Sequence, residues 1–277
     1  MGTKSEESIN RGLSKREALV LTRLAAEGKT VITIEDIEDT LDIPYEQAKK
    51  VANSLVNKRW LDRLKGGTYL IVPLEAGEAG EYTEHEFVIA SHLAEAMYIS
   101  YWSALNYHDL TEQVPTTVFS ATTEKVPERE VHGVTYKFVT VTEGKFFGYR
   151  KTDIASHKVN VATPEKAIVD CADHPEYCGD IVEIAKAVRK LDEYAVDKSK
   201  LSEFLVRQGN GAAVKRVVYL ADLYGIELPR KKELEEEFTK GYSKLDPTRT
   251  EDGRHSQKYR LKLNVSEDEL MKVGEIR

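Results

Sequence analysis

Apolar residues recur at helical spacing between Ser14 and Gly28: Ala18, Leu21 and Ala25 lie about one turn apart, as do Leu19, Thr22 and Ala26. Ser14 suits the cap of this helix and Gly28 its end. Val31 and Ile32 read as a short strand. Thr33 then caps a second short helix with Ile34, Ile37 and Leu41 on one face. Pro44 suits the first turn of a third helix, about 44–58, whose apolar face holds Ala48, Val51, Ala52, Leu55 and Val56. Its other face holds Glu46, Lys49, Lys50, Asn53 and Asn57, with Tyr45 at the edge. WLDRL, then Lys65-Gly66-Gly67, then TYLIV make a hairpin signal.

Helix, short strand, helix, helix, hairpin is the order of a winged helix, placed in residues 1–76. GEAGEY, 77–82, lacks periodicity, so a linker is expected near 74–82. A larger mixed α+β domain, 83–277, should follow. It opens with two helices, EFVIASHLAEAMYIS and then YWSALNYHDLTEQVP, the second started by Ser100 and stopped by Pro115. TTVFSATT and the alternating VTYKFVTVT read as strands, and FFGYRKTDIASHKVNVATP supplies one or two more. From Thr163 the pattern is helical: PEKAIVDCAD, IVEIAKAVRKL, and a pair, KSKLSEFLVRQ and GAAVKRVVYLADLYG, broken at Gly209-Asn210. A polar loop, one strand and an acidic tail end the chain.

Composition adds bounds. The chain has 277 residues, room for two cores. No apolar run approaches the roughly 18 residues of a membrane span, and MGTKSEESINRG is not a secretory leader. Two cysteines make no disulfide framework, so a cytoplasmic protein with free thiols is expected. The net charge is -7, yet residues 44–65 carry six basic and two acidic side chains, a net of +4. Such a patch can meet a polyanion on an acidic protein.

The third helix and the hairpin are therefore the candidate DNA-binding surface. Tyr45, Lys49, Lys50, Asn53 and Asn57 would face the major groove, and Lys58, Arg63 and Lys65 the phosphates. Read otherwise, the same charges are a solvated helix face, or the module docks a protein. Arg207, Lys215 and Arg216 cluster about the Gly209-Asn210 break, where they would extend the DNA footprint, meet a partner, or simply face solvent. Cys171, His174 and Cys178 invite a zinc reading, but the spacing fits no usual site, and Cys171 falls on an apolar face as a buried thiol. Tyr98, Tyr101, Trp102 and Tyr107 read as core. Glu143-Gly144-Lys145 matches the ExK of metal-dependent nucleases but lacks the upstream strand-end Asp that would hold the metal. No Walker loop, nucleophile elbow or dinucleotide fingerprint occurs. No cofactor, no metal and no catalysis are expected.

Several stretches carry a resemblance: YISYWSALNYHDLTEQVPTTVFSATT at 98–123, FFGY at 146–149, VATPEKAIVDCADHPEYCG at 161–179, RQGNGAAVKRVVYLADLYG at 207–225, and KLDPTR with YRLKLNV between 244 and 265. Together they resemble the AbiEi family, the antitoxins of abortive-infection systems. That resemblance implies an N-terminal winged helix, a C-terminal domain needed for antitoxin activity, and repression of its own promoter through inverted repeats. It implies as partner a nucleotidyltransferase-like toxin encoded nearby, opposed without an obligatory stable complex. A monomer in solution that pairs on DNA is expected. The alternatives are a docking protein that binds the toxin directly, or a Mg-dependent nuclease.

Overall fold

The computed structural model of the protein describes residues 11–73, 76, 82, 84–193 and 196–272, in two compact units, Met1–Glu95 and Ala96–Arg277. Most of the linker expected at 74–82 lies outside the described residues. The whole is a mixed α+β structure with three sheets among the described residues.

In the first unit, α1 spans Lys15–Ala26 and opens with a capping box: Ser14 accepts from the Glu17 amide, while Glu17 accepts from the Ser14 amide. β1 is Val31–Thr33, and α2, Ile34–Leu41, opens with a second box between Thr33 and Asp36. α3 spans Tyr45–Asn57, and β2 (Leu61–Lys65) and β3 (Thr68–Ile71) form the hairpin. The hairpin turn falls at Gly66-Gly67, where Gly67 takes φ +75°, a backbone that glycine adopts freely. All three strands pair antiparallel in the order β1-β3-β2. Val20, Leu24, Ile32, Ile37, Ala48, Ala52, Leu55, Leu61 and Tyr69 close the core beneath them, each at most 2% exposed. α4 is Glu86–Leu93, and it falls in this unit rather than at the head of the second.

The expected helix over 86–100 stops at Leu93, because Met97–Ile99 forms β4 instead. A short apolar run satisfies either period, and here β4 fills a gap between two strands. α5 is only Tyr101–Tyr107, well short of Pro115. β5 (Thr117–Thr122), β6 (Arg129–Val131), β7 (Val134–Thr140), β8 (Tyr149–Ile154) and β9 (His157–Ala162) complete a mixed sheet of order β6-β7-β5-β4-β9-β8.

Helices α6 (Pro164–Asp173, capped by Thr163), α7 (Ile181–Arg189), α8 (Lys198–Gln208) and α9 (Gly211–Leu223) follow, with Gly209 at φ +66° and Asn210 capping α9. The expected polar loop and single strand become α10 (Lys231–Glu236), β10 (Ser243–Lys244), β11 (Arg254–Ser256), β12 (Leu261–Leu263) and α11 (Glu267–Met271), with the small sheet ordered β10-β12-β11. Strands of two or three residues are too short to display a period.

The free-thiol expectation is corrected: Cys171 and Cys178 are joined as a disulfide. Both are fully buried, and the 3-10 turn at Pro175–Tyr177 folds the chain back so that their Cα atoms are 5.7 Å apart. Neither sulfur is then available as the thiolate a zinc site would need.

Candidate nucleic-acid interface

α3 buries Ala48, Ala52 and Leu55, so its 3.6-residue period turns Tyr45, Lys49, Lys50 and Asn57 outward, all exposed. Asn53 lies half-buried where the helix meets β2. There Arg63 Nη2 donates to Asn53 Oδ1 at 2.8 Å, and the Arg63 guanidinium stands 5.5 Å from the centre of the Tyr69 ring. The hairpin is thus tied to the helix by the pair expected to divide base reading from phosphate contact. Lys65, half-buried at the hairpin turn, has no carboxylate partner among the described residues.

Lys58 is placed differently from its expected role. Its Nζ donates to both oxygens of Glu17, at 2.9 and 2.8 Å, and Ser54 Oγ donates to Glu17 at 2.7 Å. The Glu17 side chain is 5% exposed. Burial alone would raise its pKa, but Lys58, Ser54 and the Ser14 amide outweigh burial and hold it at about 2. Lys58, half-buried, is accordingly committed to the buried Glu17, and α1 and the C-terminal end of α3 are joined by that pair.

The second basic cluster is not a surface patch, and that expectation is corrected. Arg207 is exposed, with its guanidinium 3.9 Å from the centre of the Phe147 ring. Lys215 and Arg216 are buried, at 0% and 5% exposure. Lys215 Nζ donates to Thr239 Oγ1 and to the Gly241 carbonyl, each at 2.7 Å. Arg216 donates to the carbonyls of Ala172, Lys244 and Leu245. Nearly every side of α9 is packed, so helical spacing could not turn these two cations to solvent.

The stretches that carry the family resemblance meet in the second unit. Lys166 Nζ and Asp170 Oδ1 are 2.8 Å apart and wholly buried, and burial pushes both toward their neutral forms. Ser100 and Tyr98 donate to the other Asp170 oxygen. Gln208 bridges Lys166 and Asp173, Asn210 also donates to Asp173, and Lys145 Nζ lies 2.6 Å from the same carboxylate. The ExK lysine is therefore paired with Asp173. Of the four aromatics expected in the core, Tyr98 and Tyr101 are buried, Trp102 is half-buried, and Tyr107 is exposed at 36%.

No family model and no curated protein matches the sequence. The chain is similar in fold to the RV2827C protein from Mycobacterium tuberculosis, known from a crystal structure: TM-score 0.67, 18% identity, 98% of each chain covered. At that identity the similarity concerns the fold alone.

Proposed function

We propose that the first unit is a winged helix that binds duplex DNA, and that the chain is a non-catalytic cytoplasmic repressor acting as the antitoxin of an abortive-infection operon. The observation that carries the DNA reading is the joining of α3 to the hairpin by Arg63 and Asn53, beside an exposed row of Tyr45, Lys49, Lys50 and Asn57. A helix with outward Lys and Asn suits base edges, and a hairpin with Arg63 and Lys65 suits phosphates. The antitoxin role, the inverted repeats and the nucleotidyltransferase-like toxin rest on the resemblance to the AbiEi family. No described helix is long and apolar enough to cross a membrane.

Mobility-shift titration of the full chain on its own upstream DNA tests this reading. Lys49, Lys50, Arg63 and Lys65 make about four phosphate-range cations, so log K against log salt should slope at roughly -3 to -4 per monomer. Two molecules should bind each inverted repeat. The Arg63–Asn53 bond makes the two residues one unit, so Asn53→Ala and Arg63→Ala should be non-additive in the double variant. Binding that ignores salt and survives Lys50→Ala would refute this surface as the DNA contact, and no binding at all would refute the DNA reading and leave protein docking as its role.

A further inference from the structure

The buried cations of α9 hold up a second surface. Lys215 fixes the chain at Thr239 and Gly241, and Arg216 fixes it at Lys244 and Leu245. Between those anchors the backbone presents Lys240, Tyr242 and Lys244 at the edge of the small sheet. Register places Lys244, Lys262 and His255 directly across from one another, hence on one face, while Leu245 and Leu261 are fully buried. Tyr242, 37% exposed, reaches over the central strand and stacks on His255, ring centres 4.7 Å apart and planes at 23°.

Charge at this place is out of step with the chain. Residues 240–262 hold seven basic and three acidic side chains, a net of +4 in a protein of net -7. Some of these cations are matched: Lys262 by Asp252, Lys258 by Asp222, Arg254 by Glu267. Lys240, Lys244 and Arg260 form no ion pair among the described residues, although Asp252, paired with Lys262, also acts electrostatically on Lys244 and His255. Arg260 donates to the Lys240 carbonyl, and Lys244 to the carbonyls of Arg249 and Thr250. Three cations outside any ion pair therefore accompany an exposed pair of stacked rings on an open sheet.

We propose that this face binds single-stranded nucleic acid, with a base stacked on the Tyr242–His255 pair and phosphates held by Lys240, Lys244 and Arg260. A ring platform needs an unpaired base, because bases inside a duplex have no free face. The site lies within the second unit and does not depend on the duplex reading of α3. Lys and Arg beside the rings supply the sequence-independent attraction to the backbone.

Fluorescence anisotropy of the full chain with labelled 12-nucleotide oligo(U) and oligo(dT), at low salt, tests the proposal. Tyr242→Ala should weaken binding roughly five- to hundredfold, and Tyr242→Phe should keep it, since stacking needs the ring and not the hydroxyl. Lys240→Ala with Arg260→Ala should flatten the salt dependence. Lys49→Ala with Lys50→Ala should leave single-strand binding unchanged while weakening duplex binding, which separates this surface from α3. An unchanged thermal melt of the full chain, followed by circular dichroism, shows that Tyr242→Ala is folded. Whichever oligonucleotide binds more tightly identifies the strand as RNA or DNA. Failure of both to bind, equal binding by Tyr242→Ala and the parent, or loss in the Lys49 and Lys50 variant alone would overturn the proposal.

Discussion

Lys58→Ala separates two roles for one charge. The Glu17 carboxyl is held at about 2 against an ordinary 4.5, a gap worth roughly 3 kcal/mol in favour of the folded anion. Lys58, Ser54 and the Ser14 amide share it, and among the described residues Lys58 supplies the cation, on both oxygens. Breaking a fully buried ion pair costs about 3–5 kcal/mol. The Lys58 side chain is 26% exposed, so water screens part of the loss, and we expect about 2 kcal/mol. Urea unfolding followed through Trp60, with Trp102→Phe to silence the second unit, reads this directly. The folded pKa of Glu17 is depressed, so its stabilisation is complete above about 4.5 and is lost as pH falls toward 2. The deficit of Lys58→Ala should therefore be full at pH 7 and shrink through that window, because a protonated Glu17 needs no cation. An unchanged midpoint at pH 7, together with a loss of DNA affinity as large as that of Lys50→Ala, would refute the commitment of Lys58 to Glu17.

Three further outcomes are expected. Arg216→Ala strips the donor from three carbonyls in a buried setting and should cost about 3–5 kcal/mol in the thermal melting of the second unit, whereas exposed Arg207→Ala should cost under about 1 kcal/mol. The oxidised protein should resist alkylation at Cys171 and Cys178 by mass spectrometry, and reduction should cost about 2–3 kcal/mol for a closed loop of seven-residue separation. Gly148→Ala places a methyl 2.8 Å from Phe204 and 3.0 Å from Lys166 on a backbone at φ +75°, so it should lose about 2–4 kcal/mol in urea unfolding.

The sequence by itself determined the first unit's elements, because each carries a strong local signal. Ser14 and Thr33 stand at caps, Gly66-Gly67 at a turn, and the apolar stripe of α3 is long enough to show its period. It equally placed the start of α6 at Thr163 and the break between α8 and α9 at Gly209-Asn210. What only the tertiary structure decided was the destination of charges and sulfurs. A periodic pattern says that Lys58, Lys215 and Arg216 lie off the most apolar stripe. It does not say that a buried Glu17 waits on α1, or that the Thr239 hydroxyl and the carbonyls of Gly241, Lys244 and Leu245 pack over α9. Those partners come from 24 to 41 residues away in the chain, so no local window contains them. The same holds for Met97–Ile99, whose three apolar residues become a strand only because β5 and β9 lie on either side. It holds too for the small terminal sheet, whose strands are too short to show a period: α9 holds β10 through the Lys244 carbonyl, and β12 and β11 join it by strand pairing.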